Sequence, residues 1–214
     1  MNRIIALHGN VGSPDDWLPL EQAFGPLEKR CLWEPGALDF AEGDALLGYS
    51  LGGRLALQAA AAAPEKFRMV VVLSAHPGLT TPQERLERLE LDRRWSERAA
   101  HLPWAEFLQQ WDAQDVLGSG SPDRLALEPY RHAIAQAFRG WSLGNQADLR
   151  PALARLSCPL HWITGEQDLK FTALAAGAGC GRQHVVQGAG HRLLTTDLAP
   201  QLAALLDSLK IVSS

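Results

Sequence analysis

Glycines at positions 48 and 52 flank Ser50 in Gly48-Tyr49-Ser50-Leu51-Gly52, with an apolar run (Ala45–Leu47) before the motif and an Ala- and Leu-rich stretch (Leu51–Ala63) running on from it to Pro64. This order calls for a strand that turns sharply into a helix, because side chains at the two glycine positions would collide at so tight a bend. The bend leaves Ser50 exposed at a helix N-terminus, where the positive end of the helix dipole favours developing negative charge. Few architectures accommodate such a turn.

The rest of the chain repeats the pattern. Ile4–Leu7, Met69–Leu73 (MVVVL), Leu160–Thr164 (LHWIT) and His184–Val186 read as buried strands, and Leu198–Leu209 as a closing helix. Strand and helix alternate, so the expected fold class is α/β: a mostly parallel sheet with helices on both faces. A chain of 214 residues suits one such core with a small inserted lobe. The alternation breaks after Pro77, and residues 77–145 read as a helical cap inserted in a core formed by 1–76 and 146–214. Within the cap, Trp104, Phe107, Leu108 and Trp111 fall at i, i+3, i+4 and i+7, on one helical face. Gly118–Pro122 (GSGSP) reads as a loop between cap helices.

A serine hydroxyl needs a base, and the base needs a carboxylate to orient it. Of seven histidines, His191 stands in Gly188-Ala189-Gly190-His191, between the last strand and the last helix. Asp168 follows the LHWIT strand in Gly165-Glu166-Gln167-Asp168. Glu166 is the rival acid, but it belongs to the turn itself, so Asp168 is preferred. The order Ser50, Asp168, His191 is the order in which a strand-end triad of this kind is built. His8 and His76, also at strand exits, are further candidates for the cleft lining. The oxyanion donors are expected to be the main-chain N–H groups of Leu51 and Asn10.

Charge and cysteine usage narrow the partners. The net charge of −4 and the lack of a dense Lys/Arg block argue against nucleic acid. Met1–Leu7 lacks a signal peptide's apolar core, and no apolar run approaches ~18 residues, so no membrane association and a cytoplasmic location are expected. Cys31, Cys158 and Cys180 are widely spaced without a CxxC pair, so neither a zinc site nor any other metal is expected.

Together, HGN (His8–Asn10), GYSLGGR (Gly48–Arg54), SAHPGL (Ser74–Leu79), GEQDLKF (Gly165–Phe171) and GAGH (Gly188–His191) resemble the α/β-hydrolase superfamily. Between Ser74 and Trp95 the likeness narrows. HPGLTTPQERLERLELDRRW, with WDAQ and SLGNQADL after it, resembles the 2-succinyl-6-hydroxy-2,4-cyclohexadiene-1-carboxylate synthase (MenH) family of menaquinone biosynthesis. That resemblance implies a lyase that eliminates pyruvate from an enolpyruvyl-cyclohexene carboxylate without a cofactor, its serine acting as base. A carboxylesterase or C–C hydrolase working through an acyl-enzyme is the alternative, and a scaffold kept only for binding is a third reading.

The substrate implied is small and anionic, and arginines match carboxylates bidentately. Arg54, one helical turn after Ser50, is placed to reach an anion above the serine. Arg88 holds the family's cap-arginine position, and Arg85 shares its helix face. Arg131 in LEPYRHAI is either a third anion contact or an ordinary surface arginine, the second being preferred. Tyr49 and Trp111 match pocket-lining positions, although the stripe containing Trp111 reads equally as core.

The chain also departs from the family. A substantial helix normally separates a strand near Leu32 from the nucleophile strand, but only about ten residues are available here, fewer than a parallel crossover usually takes. The expectation is therefore a missing or one-turn helix, a sheet trimmed at its N-terminal side and thinly covered on one face, and possible homo-oligomer formation over that face.

Overall fold

The computed structural model describes residues 3–118 and 123–211. In chain order the elements are β1 (Ile4–Leu7), α1 (Leu18–Phe24), β2 (Glu28–Arg30), β3 (Asp44–Tyr49), α2 (Leu51–Ala62), β4 (Phe67–Leu73), α3 (Pro82–His101), α4 (Trp104–Asp112), α5 (Arg131–Gly140), α6 (Arg150–Leu153), β5 (Leu160–Gly165), α7 (Leu169–Ala176), β6 (Arg182–Val186) and α8 (Ala199–Ser208). They fall into two compact units, one from the chain up to Pro77 and from Leu149 onward, the other Gly78–Asp148. Residues 119–122 of the GSGSP loop lie outside the described residues.

The first unit is a six-stranded sheet in the order β2-β1-β3-β4-β5-β6, with every neighbouring pair parallel. One face presents Ile4, Ala6, Leu47, Met69, Val71 and Ile163 to Leu20 of α1 and to Leu202 and Leu206 of α8. On the opposite face lies α2, beside β3 and β4, and α7 is tied down by Thr172 Oγ1 donating to Thr164 Oγ1 at 2.9 Å. A parallel sheet needs this double cover, and its central strands are accordingly mostly apolar.

β2 ends two residues before Leu32, at Arg30, and it is charged rather than apolar. Its ion pairs run from Arg3 to Glu28 (3.1 Å), from Arg30 to Glu28 (2.7 Å) and from Lys29 to Glu21. This suits an edge strand, which must resist pairing with a further strand.

Residues 31–43 contain no helix. Turns replace it, gathered by Arg30, whose Nη1 donates to the carbonyls of Gly36 (3.1 Å) and Asp39 (2.9 Å). The sheet is nonetheless not thinly covered. Ile5 and Leu46, facing away from the α1/α8 cluster, are 0% exposed, and Leu32, Trp33 and Ala37 of the turn segment are themselves buried. Apolar side chains on an irregular segment exclude water as well as those on a helix, provided its backbone groups find partners. The opening expected for a partner subunit is therefore absent among the described residues.

The second unit is helical. The stripe Trp104, Phe107, Leu108 and Trp111 is buried on α4, and Trp95 of α3 and Phe138 of α5 join Phe107 and Trp111 in an aromatic cluster with ring centroids 5.1–6.5 Å apart. Thr81 starts α3 with a reciprocal capping box to Glu84.

Candidate active site

Ser50 sits between β3 and α2 at φ 52°, ψ −106°, a left-handed conformation that a non-glycine residue holds only when its surroundings impose it. The surroundings are close-packed backbone. A Cβ at Gly48 would lie 2.5 Å from Gly52 O, and one at Gly52 would lie 2.2 Å from Leu7 O. The two glycines are thus the condition for the bend.

His191 and Asp168 come from the loops after β6 and β5. His191 Nδ1–H donates to Asp168 Oδ2 at 2.8 Å, and Ser50 Oγ lies 3.4 Å from His191 Nε2. The second distance is at the upper end of hydrogen bonding. A carboxylate only accepts, so the proton of a neutral imidazole sits on Nδ1, and Nε2 is left as an acceptor facing Ser50 Oγ. Both partners are buried, at 5% and 6% exposure, which strengthens their mutual interaction.

Glu166 does other work. Its Oε2 accepts the Gly188 N–H at 3.0 Å, while Glu166 N–H donates to Val186 O and Gln167 N–H to Ala189 O. These bonds stitch the acid loop to the histidine loop. Gly165 allows the contact, because a Cβ there would lie 2.3 Å from the carbonyl oxygens of Ala189 and Gly190.

At the start of α2, Gly52 N–H is taken by His8 O at 3.1 Å. Among the described residues the Leu51 and Asn10 main-chain N–H groups donate to no protein acceptor. Asn10 Oδ1 accepts from Val11 N–H at 3.1 Å, holding Val11 at φ 52°. The Tyr49 ring packs over Gly9 and lies 5.7 Å from the His191 ring. Arg54 is 8% exposed on α2.

His8 is not a cleft residue. It is fully buried, its Nε2 accepts from Leu32 N–H (2.9 Å), its Nδ1 donates to Gly9 O (2.8 Å), and its ring packs against Trp33. It pins the helix-less segment to the end of β1. His76 is also buried, its ring edge-on to Phe171.

In the second unit, Arg88 Nε donates to Asp92 Oδ2 at 2.8 Å and its side chain stays 33% exposed. Arg85 donates to Leu79 O. Arg131 is not available as a third anion contact. Its guanidinium donates to Ala99 O (3.1 and 3.0 Å) and Leu102 O (2.5 Å), and lies over the Trp104 ring. Trp111 is 9% exposed and its ring is taken up by Trp95 and Phe138, so the contacts are those of a core residue.

A family model for the alpha/beta hydrolase fold matches residues 37–197. The chain belongs to the α/β-hydrolase family. Members of the family similar to it include 2-succinyl-6-hydroxy-2,4-cyclohexadiene-1-carboxylate synthase of Salmonella typhimurium, 34% identical over 88% of this chain and 86% of that protein. The synthase of the same name from Klebsiella pneumoniae is 31% identical over 94% and 91%. Among solved structures, MenH from S. aureus superposes with a TM-score of 0.75 at 17% identity, covering 97% of this chain and 94% of that one. A thermophilic esterase from Thermogutta terrifontis gives 0.72 at 17% identity, covering 100% and 91%. These two share the fold. Membership of the family, with relatives named as synthases, makes the chain an enzyme, a lyase or a hydrolase.

Two neighbours of the three central groups escaped sequence reasoning. Ser74, buried and left-handed at φ 45°, donates its hydroxyl to Asp168 Oδ2 at 2.9 Å. The Phe171 ring lies 4.5 Å from that of His191. The signal for Ser74 was its place at the exit of the MVVVL strand, level with the other strand ends that supply the site.

Proposed function

We propose that the chain is a lyase of menaquinone biosynthesis that eliminates pyruvate from an enolpyruvyl-cyclohexene carboxylate, with Ser50, His191 and Asp168 as its catalytic triad. The observation that carries the reading is the path from Asp168 Oδ2 through the His191 ring to Ser50 Oγ, ending on a hydroxyl at a strained strand-to-helix bend. The name borne by the relatives at 31–34% identity supports it.

In this reading Asp168 keeps the His191 proton on Nδ1, and Nε2 receives the Ser50 hydroxyl proton. The serine oxygen then removes a ring proton activated by a neighbouring carbonyl. The electron pair enters the ring as a dienolate, whose oxygen is steadied by the N–H groups of Leu51 and Asn10. Its return breaks the C–O bond to the enolpyruvyl group, which leaves as an enolate and takes up a proton to become pyruvate. Arg54 and Arg88 are assigned to substrate carboxylates, and Tyr49 to packing around the His191 ring.

Incubation with the enolpyruvyl substrate is expected to release pyruvate, and Ser50→Ala to lower kcat by about 10³-fold or more. Undiminished release by that variant would refute the mechanism. Serine hydrolysis is the second reading, favoured by the unengaged Leu51 N–H beside the serine, which suits a tetrahedral oxyanion equally well. Rapid turnover of neutral p-nitrophenyl esters without pyruvate release would select it.

A further inference from the structure

Two motifs prominent in the sequence, Asp92-Arg93-Arg94-Trp95 and Ser142-Leu143-Gly144-Asn145-Gln146, take no part in the chemistry above, yet they meet inside the second unit. Ser142 Oγ donates to Asp92 Oδ2 at 2.7 Å, and Gly144 N–H donates to Ser142 Oγ at 3.1 Å. The same Oδ2 accepts from Arg88 Nε at 2.8 Å, one helical turn earlier on α3.

As a stabilising device this arrangement is poor. Asp92 is 2% exposed, and its Oδ1 is buried without a hydrogen-bond partner. Taking a carboxylate out of water with one oxygen unsatisfied is costly, and an apolar pair of similar volume commonly serves stability as well or better. What the arrangement achieves is to hold Arg88. Among the described residues only its Nε is engaged, so Nη1 and Nη2 remain on a partly exposed side chain. Those two nitrogens form the end of the guanidinium that can grip a carboxylate with two parallel bonds.

We infer that Asp92, itself oriented by Ser142, is the positioning residue for Arg88, presenting the Nη1/Nη2 edge to a carboxylate of the substrate. The inference rests on the assignment of Arg88 to a substrate carboxylate and adds the residues that aim it and the edge that is used. A long arginine side chain must otherwise give up its rotamer freedom when the ligand arrives, and a fixed one does not.

The test is a double-mutant cycle in the full-length protein. In the pyruvate-release assay, Asp92→Asn is expected to raise KM by about ten- to hundred-fold with kcat changed by less than about three-fold, and Ser142→Ala to raise KM by about three-fold. On an Arg88→Ala background, Asp92→Asn should raise KM no further. An equal rise on both backgrounds, or parallel losses of kcat and thermal stability, would overturn the proposal. Ser142→Ala keeps the question answerable if Asp92→Asn does not fold.

NMR of the Arg88 Nε–H supplies a readout independent of turnover. A downfield, slowly exchanging signal is expected in the wild type and should disappear in Asp92→Asn; its persistence there would overturn the proposal. If the wild type released no pyruvate, the functional reading would fall. The positioning role would then be decided by the NMR signal and by the same cycle read as the Kd for succinate, where binding indifferent to Arg88 would count against it.

Discussion

Two acids two residues apart take different tasks because of where their side chains end. Asp168 reaches a buried ring nitrogen, whereas Glu166 accepts a backbone N–H in an exposed turn. Asp168→Asn keeps the shape but offers an amide that can stabilise the wrong His191 tautomer, so kcat should fall by about 10³–10⁴-fold, measured in the pyruvate-release assay. Glu166→Gln should stay within about three-fold of wild type in the same assay; a collapse there would exchange the roles of the two acids. The glycines flanking the serine were legible because part of their constraint is local, Gly48 against the Gly52 carbonyl, although Gly52 itself is pressed against β1. Gly52→Ala places a methyl against the Leu7 carbonyl, and a loss of about 2–3 kcal/mol or outright misfolding is expected in chemical denaturation.

Among the elements, legibility followed hydrophobic pattern. β3, β4 and β5 are apolar runs and stand out, and α2 follows from composition and Pro64. β2 did not stand out at its true position, because its residues are Glu28, Lys29 and Arg30 and only its neighbours make it a strand. The α4 stripe was legible as one face, but whether that face met a ligand or other helices was not; Trp95 and Phe138 decide for Trp111. Trp111→Ala should therefore cost about 3–5 kcal/mol of stability, read by calorimetry. At the start of α3, Thr81→Ala removes the capping-box oxygen and should cost about 1 kcal/mol.

At the scale of the whole molecule an acid sensitivity is expected away from the chemistry. His161 on β5 and His184 on β6 are partners, Nδ1 to Nε2 at 3.1 Å, a bond that suits neutral rings. Burial above all holds both below the ordinary imidazole value, followed for His161 by His184 and then Arg182, and for His184 by Arg182. The unfolded chain therefore binds more protons than the folded one once pH drops below about 6.5. The stability these rings contribute is complete above that value and is lost as pH falls through it toward their lower folded values. Thermal unfolding followed from about pH 7.5 to about pH 5.5 should show a falling Tm, and His184→Gln should flatten the slope. An unchanged slope in the variant would assign the acid sensitivity to other groups.

The amino-acid sequence by itself determined the alternation of strand and helix, the bend at Ser50 and the order in which serine, acid and histidine are met. Each of these is written in short-range pattern: apolar period, glycine sterics, and turn residues at strand exits. Tertiary structure alone decided that Ser74 supports Asp168, that His8 fastens the segment where a helix is missing, and that Arg131 and Trp111 are spent on internal packing. These outcomes depend on what a side chain finds within about 3–6 Å across the fold, and that neighbour lies tens of residues away along the chain.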